Sequence, residues 1–280
     1  MTFNDCINVG GRLFDLSEPR VMGIINLTPD SFYAPSRVDS HDTLAERVRK
    51  MISEGAAIID VGACSTRPDS IPASEEEEIA RLRYGLPVIV REAEGRAVIS
   101  VDTFRSDIAK MCVEEYGAEI INDVTGGKAD KRMMHTVANL HVPYVLTHSE
   151  DVTREESLLP TMMLQLSRCL LKLRDMGVAD VILDPGFGFG KTLEQNYEIM
   201  NGLENFAELE LPLLVGVSRK SMIWRMLNTI PENTLNATTA LHAIALIKGA
   251  KILRVHDVKE AVEAVRIFNA VCMKSSKSEI

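Results

Sequence analysis

From Val21 onward the chain repeats one rhythm: a short β-branched apolar run, a loop rich in Gly, Asp, Asn, Ser or Thr, then a longer amphipathic stretch. The runs are VMGIIN (21–26), AIIDV (57–61), AVISVD (97–102), EIIND (119–123), PYVLTH (143–148), DVILD (180–184), LPLLVGVS (211–218) and KILRV (251–255). Their apolar character is continuous rather than alternating, which predicts parallel strands buried on both faces. In the first helical stretch Asp42 is placed to cap, Leu44, Val48, Met51 and Ile52 share one face, and Gly55 supplies the stop. In the last, Asp257 and Glu260 resemble a capping box ahead of Val258, Val262, Val265 and Phe268. Eight such β-α units predict an α/β fold, a closed (β/α)8 TIM barrel. A doubly wound open sheet competes, because periodicity does not report whether a sheet closes. Ahead of the barrel, INVGGRLFDL (7–16) reads as a β-hairpin turning at Gly10-Gly11. No linker or low-complexity tract interrupts the pattern, so residues 1–280 read as one domain, with the hairpin in 1–20 and the barrel in 21–274.

Composition narrows the function classes. With 31 Lys+Arg against 40 Asp+Glu the net charge is −9, which argues against a sequence-independent nucleic-acid binder. The acidic run Glu75 to Glu78 precedes an apolar-periodic stretch and reads as the first turn of a helix, where the dipole favours carboxylates. Five cysteines at 6, 64, 112, 169 and 272 show no C-x-x-C or metal spacing, so neither a disulfide framework nor a structural zinc is expected. No apolar run reaches the ~18 residues of a membrane span, and the polar, mixed first twelve residues lack a signal-peptide pattern. The reading is a cytoplasmic protein with no membrane or nucleic-acid partner.

In a TIM barrel the C-terminal strand ends and the loops after them form the active-site mouth. At those positions stand Asn26, Asp60, Asp102-Thr103, Asn122-Asp123, Thr147-His148-Ser149, Asp184, Ser218-Arg219-Lys220-Ser221, and Arg254 with His256. Singly each has a plain explanation: Asp184-Pro-Gly a turn, Asp102-Thr103 a cap, His148 a structural imidazole. Jointly they divide into two chemistries. Arg67, Arg254 and His256, near the helix starting at Asp257, suit a phosphate. Asp102, Asn122, Asp184 and Lys220 combine acceptors with an amide and an ammonium, which suits a flat, nitrogen-rich heterocycle. The segment PGFGFGKT (185–192) is not a Walker loop, since Pro185 stands where the first Gly is required, and Lys191 defeats G-x-G-x-x-G.

The motifs MGIINLTPDSF (22–32), IDVGACSTRP (59–68), SVDTF (100–104), INDVTGG (121–127), LDPGFGFGK (183–191), VGVSRKS (215–221) and ILRVHDV (252–258) occur in this order along the chain. In them the sequence from Val21 to about Phe268 resembles the dihydropteroate synthases, the folate-pathway enzymes inhibited by sulfonamides. The resemblance implies a (β/α)8 barrel that joins dihydropterin pyrophosphate to p-aminobenzoate. By motif, Asn26 resembles the family's Mg²⁺ ligand. Thr66, Arg67, Arg254 and His256 resemble its diphosphate contacts, and Asp102, Asn122, Asp184 and Lys220 its pterin contacts. Phe32, Pro68, Lys220 and Ser221 resemble its p-aminobenzoate pocket. Catalysis then falls to Asn26, Arg67, Asp102, Lys220, Arg254 and His256, and a homodimer through the last helices is implied. The chain departs from the family pattern at Tyr33, Ala34 and Pro35, at Asp69 after Arg67-Pro68, at Ala63-Cys64 ahead of Ser65, and at Ser149. Two other readings compete: a pterin-dependent methyltransferase, which has no diphosphate to bind, and a catalytically silent paralogue that binds pterin without turnover.

Overall fold

The computed structural model describes residues 5–27, 40–65, 72–152 and 157–273. The expected hairpin is present as β1 (Cys6–Val9) paired antiparallel with β2 (Arg12–Asp15). Gly10 and Gly11 both have positive φ, +57° and +80°, as a two-residue turn matched to strand twist requires.

Eight parallel strands follow: β3 (Arg20–Asn26), β4 (Ile58–Gly62), β5 (Val98–Asp102), β6 (Ile120–Asp123), β7 (Tyr144–Thr147), β8 (Val181–Asp184), β9 (Leu214–Val215) and β10 (Ile252–Val255). Each pairs with its neighbours in sequence, and β10 pairs with β3. The ring closes where Leu183 bridges Leu213 and its N–H donates to the Pro212 carbonyl at 2.8 Å. This closure excludes the open doubly wound sheet. The run LPLLVGVS contributes only two ladder residues to β9, because Pro212 has no N–H to donate and Leu213 already serves as the bridge.

Around the ring lie α1 (Ser40–Glu54), α2 (Glu75–Ala93), α3 (Ser106–Tyr116), α4 (Met133–Leu140), α5 (Leu158–Asp175), α6 (Leu193–Asn201), α7 (Ser221–Met226), α8 (Leu235–Ile247) and α9 (Val258–Phe268). Two expected caps need correction. The helix α1 begins at Ser40, so Asp42 lies inside its first turn, favoured by the dipole but not capping. Asp257 occupies the N-cap of α9 without a side-chain capping bond. Its carboxylate is instead held by Arg219, at 3.0 and 2.6 Å, a charge-assisted pair stronger than a neutral cap. The acidic run does open α2, behind a capping box between Ser74 and Glu77. Glu78 turns inward, fully buried, to accept from Thr103 and to pair with Arg105.

Inside the barrel, strand periodicity of two sorts the side chains into layers. The bottom layer takes one apolar residue from every strand: Met22, Ile58, Val98, Ile120, Val145, Ile182, Leu214 and Ile252. Ile7, Val9 and Leu16 of the hairpin segment pack against it from below. The hairpin is therefore a plug that leaves the C-terminal strand ends as the mouth. Two residues further along each strand the character changes to Ile24, Asp60, Ser100, Asn122, Thr147, Asp184, Gly216 and Arg254. This layer is the floor of the site. A second, larger core joins the outer strand faces to the helices, and among the described residues no helix is long and apolar enough to cross a membrane.

Candidate active site

Asp60 organises the floor. It is fully buried, and its carboxylate accepts from Ser100 Oγ at 2.6 Å, Asn122 Nδ2 at 3.0 Å and Arg254 Nε at 2.7 Å. Three neighbouring side chains are thereby fixed by one acceptor. The bond from Nδ2 sets the Asn122 amide, whose Oδ1 is buried without a partner, an acceptor left for a ligand N–H. Arg254 reaches over Asp60 to Asp102, to which a terminal guanidinium nitrogen donates at 2.6 Å. The two sequence-based subsets thus share a member, because Arg254, expected at the diphosphate, is tied into the group expected at the heterocycle. Its burial opposes the charged form, but Asp60 and Asp102 together hold its pKa above the usual arginine value. Burial pushes the Asp102 carboxyl up, against the lowering effect of Arg254.

Asp184, also buried, is pushed up by burial and drawn down by Lys220, and its Oδ1 accepts from the Gly186 N–H at 2.7 Å. Lys220 arrives from the loop after β9, the neighbouring strand at the point where the ring closes. Arg219 adopts a left-handed conformation (φ +56°), a strained backbone for a non-glycine residue. Arg219 pairs with Asp257, while Lys220 Nζ donates to the Phe187 carbonyl and sits 4.8 Å from the centre of the Phe189 ring. Arg219 is therefore not a member of the cationic site. Burial lowers the Lys220 ammonium to a pKa of about 8, opposed by Asp184. At Gly216 a Cβ would stand 3.7 Å from Arg254 Cβ and 4.0 Å from Lys220 Nζ, so the missing side chain leaves space between the two cations. Ser221, half-buried, is the first residue of α7.

The loop after β8 shows why its resemblance to a phosphate loop misleads. Lys191 Nζ donates to the carbonyls of His148, Gly186 and Phe189, each at 3.0 Å. The lysine thus laces its own loop to the end of β7, and through it holds the carbonyl and ring that flank Lys220. Burial lowers its pKa to about 8 as well. Gly186 (φ +71°) cannot be replaced, because a Cβ there would meet the His148 carbonyl oxygen at 2.0 Å. His148 is structural: its Nε2 lies 2.6 Å from Gln165 Oε1, and burial lowers its pKa to about 4. Ser149 donates to the Thr125 carbonyl at 2.7 Å.

At the rim, Asn26, Gly62 and Asp102 stand in register on adjacent strands. The His256 N–H donates to Ser218 Oγ at 3.2 Å. Among the described residues no group of three or more His, Cys, Asp or Glu is placed to hold a metal. A divalent ion here would therefore rest on few protein atoms. The half-buried Asn26 offers a hard amide oxygen, and Gly62 keeps the space beside it open, since a Cβ there would lie 3.5 Å from Asn26 Oδ1. Such a donor fits magnesium, which keeps several waters and takes further ligands from substrate phosphates. Phe32, Thr66, Arg67 and Pro68, with the departures Tyr33, Ala34, Pro35 and Asp69, lie outside the described residues. Sequence reasoning left Asp60 without a settled role and did not find Ser100 or Lys191. The signal available for Asp60 and Ser100 was a polar residue two positions beyond the apolar bottom layer.

A family model described as "Pterin binding enzyme" matches residues 22–256. The dihydropteroate synthase of Clostridium beijerinckii is 41% identical, over 95% of this chain and 99% of its own length. Among solved structures, the Xanthomonas albilineans dihydropteroate synthase with 4-aminobenzoic acid matches with a TM-score of 0.87 at 33% identity, covering 96% of this chain and 98% of that one. The Yersinia pestis dihydropteroate synthase in complex with a sulfonamide drug matches with a TM-score of 0.84 at 35% identity, covering 95% and 98%. A closed barrel, a polar floor under its mouth and likeness along nearly the whole chain agree, and the chain belongs to the pterin-binding enzymes, in the dihydropteroate synthase family.

Proposed function

We propose that the chain joins 6-hydroxymethyl-7,8-dihydropterin pyrophosphate to p-aminobenzoate, giving 7,8-dihydropteroate and pyrophosphate. The observation that carries this reading is the buried floor in which Asp60 holds Asn122 and Arg254 while Lys220 faces Asp184. Its groups fit a flat ring with donors and acceptors on its edge. Asp102 and Asp184 accept from ring and amino N–H groups, Asn122 Oδ1 accepts another, and Lys220 donates to a ring nitrogen or carbonyl oxygen.

In the reaction the C–O bond between the pterin methylene and the diphosphate breaks, and its electron pair leaves on pyrophosphate. The electron-rich ring supports the cationic methylene. The arylamine lone pair then forms the C–N bond, and the displaced proton passes to solvent. No side-chain nucleophile is required. Arg254 and His256, with Thr66 and Arg67, stabilise the charge gathering on the departing group. Asn26 would hold magnesium, which when bound offsets diphosphate charge. Phe32, Pro68, Ser221 and the stem of Lys220 enclose p-aminobenzoate and keep water from competing. The methyltransferase alternative loses support from the full-length likeness to synthases.

The test is turnover with both substrates and Mg²⁺, following both products. Equal formation of pyrophosphate and dihydropteroate, abolished without p-aminobenzoate, is the expected result. Pterin binding without product would identify a silent paralogue instead.

A homodimer through the last helices is part of the same reading. Its support is the apolar surface left on and after α8 and α9, where Ile247 is 71%, Ile267 67% and Val271 69% exposed. Sedimentation across micromolar dilution is expected to show a dimer, and a monomer at every concentration would exclude it.

A further inference from the structure

Two lysines share the loop between β8 and α6. Lys220 Nζ donates to the Phe187 carbonyl and Lys191 Nζ to those of Gly186 and Phe189, so three of four successive carbonyls end on one ammonium or the other. The third Lys191 donor goes to the His148 carbonyl, and the His148 N–H donates to the Asp184 carbonyl at 2.8 Å. The Gly186 N–H donates to the Asp184 carboxylate. The Gly186 and His148 peptides are thus each bonded to Asp184 through N–H and to Lys191 through C=O. Gly186, Gly188 and Gly190 all have positive φ, and a stretch so rich in glycine has much backbone freedom to lose, so its shape depends on such anchors. All three protons of the Lys191 ammonium are spent on neutral carbonyls, which leaves none for a substrate. Burial lowers its pKa to about 8, so the charge persists against a desolvation cost that a neutral amide donor would avoid. The surrounding charges give that ammonium a part to play. Asp184 and Asp151 favour it, Lys220 and Lys128 oppose it, and His148, lowered to about 4, is neutral. Around Lys220 stand Asp184 and Asp102, against Arg254. Asp184 is the carboxylate common to both lysines.

We propose that Lys191 is a positioning residue of the reaction, which fixes the loop after β8 as the seat of Lys220 and shares Asp184 with it as a second buried cation. The inference rests on the reaction proposed above and gives a part in it to a residue with no donor left for either substrate. Lys220 is set against the Phe187 carbonyl and the Phe189 ring. Both belong to the stretch whose two ends, the Gly186 and Phe189 carbonyls, Lys191 holds. Without Lys191 those ends come loose, and the seat of Lys220 with them. The charge acts along the same route. Lys191 draws Asp184 toward its ionised form, which preserves an acceptor for the ring. Repulsion between two ammonium groups is mutual, so Lys191 also favours loss of the Lys220 proton.

Lys191→Gln tests the proposal, since the amide keeps N–H donors for two of the carbonyls and removes the charge. Carbon-13 NMR of the lysine side chains across pH, with the Lys220 signal assigned from Lys220→Ala, needs no substrate. Lys220 is expected to lose its proton at higher pH in Lys191→Gln than in the wild type, because a like charge has gone. In Lys191→Arg, which retains charge and donors, it should titrate where it does in the wild type. In Lys191→Gln kcat/KM for the pterin substrate is expected to fall about tenfold, as loss of one hydrogen bond from a charged group implies. Most of that loss should vanish in a Lys220→Ala background, as a residue acting through Lys220 requires. A Lys220 titration unmoved in Lys191→Gln overturns the proposal, as does a loss in kcat/KM that adds in full to that of Lys220→Ala. Because the titration is read without turnover, failure of the condensation assay and failure of the Lys191 role are told apart.

Discussion

Asp60→Asn is expected to lower kcat/KM for the pterin substrate by about two to three orders of magnitude and to leave the KM for p-aminobenzoate within about twofold of wild type. The magnitude follows from breaking a buried ion pair, about 3–5 kcal/mol, at about 1.4 kcal/mol per tenfold in rate. An asparagine there keeps one oxygen for Asn122 Nδ2 and Arg254 Nε, which share Oδ2, and turns its NH2 to the Ser100 hydroxyl, but it removes the negative charge that the buried Arg254 faces. The hold on the Asn122 amide, whose Oδ1 is the acceptor left toward the ring, weakens as a charged acceptor becomes a neutral one, and Arg254 keeps Asp102 alone as its carboxylate partner. Asp60 is thus a positioning residue, acting through two neighbours. Steady-state kinetics on each substrate separates this from general damage to the fold, which would move both KM values. Combining Asp60→Asn with Asn122→Ala gives a second check. If Asp60 acts through Asn122, the two losses should fall well short of adding. Fully additive losses, or near wild-type pterin kinetics in Asp60→Asn alone, would contradict the role.

Lys220→Ala should cost about two orders of magnitude in kcat/KM for the pterin substrate, since it removes both a donor to the ring and the cation facing buried Asp184. Left without that cation, Asp184 is pushed further toward its neutral form, and a carboxylate acceptor is lost along with the ammonium. The same pair predicts a pH dependence whose sign is fixed. Burial lowers Lys220 from the usual lysine value to about 8, so the free enzyme carries the ammonium below that pH and loses it above. The pterin kcat/KM, which reports groups of the free enzyme, should fall as pH rises through about 8. Lys191 titrates in the same range, so the comparison lies in the variant. The residual activity of Lys220→Ala should lack the descending limb, and an unchanged limb there would transfer it to the loop that Lys191 laces.

Much of the architecture was legible because strands and helices announce themselves by local period. The eight apolar runs became β3 to β10 with ends shifted by a residue or so, save that β9 shrank to Leu214–Val215. The hairpin formed at Gly10-Gly11, where both residues need positive φ. What local pattern missed were competitions for one side chain. Asp257 read as a cap by spacing, yet Arg219, remote in sequence, offered it two charge-assisted bonds. Lys191 read as part of a failed nucleotide motif, and the nearby carbonyls of Gly186 and Phe189 together with that of His148 on the neighbouring loop consume its three donors.

The site divides along the same line. The sequence by itself determined that Asn26, Asp102, Asn122, Asp184 and Arg254 stand at strand ends, because the apolar runs stop there, and period two carries them to the inner face. Only the tertiary structure decided which of them pair. Closing eight strands into a ring brings Arg254 onto Asp60 across 194 positions and onto Asp102 across 152. In a barrel interior without bulk water, a buried charge takes whatever counter-charge the ring places beside it. That choice depends on register and closure, quantities that no window of neighbouring residues contains.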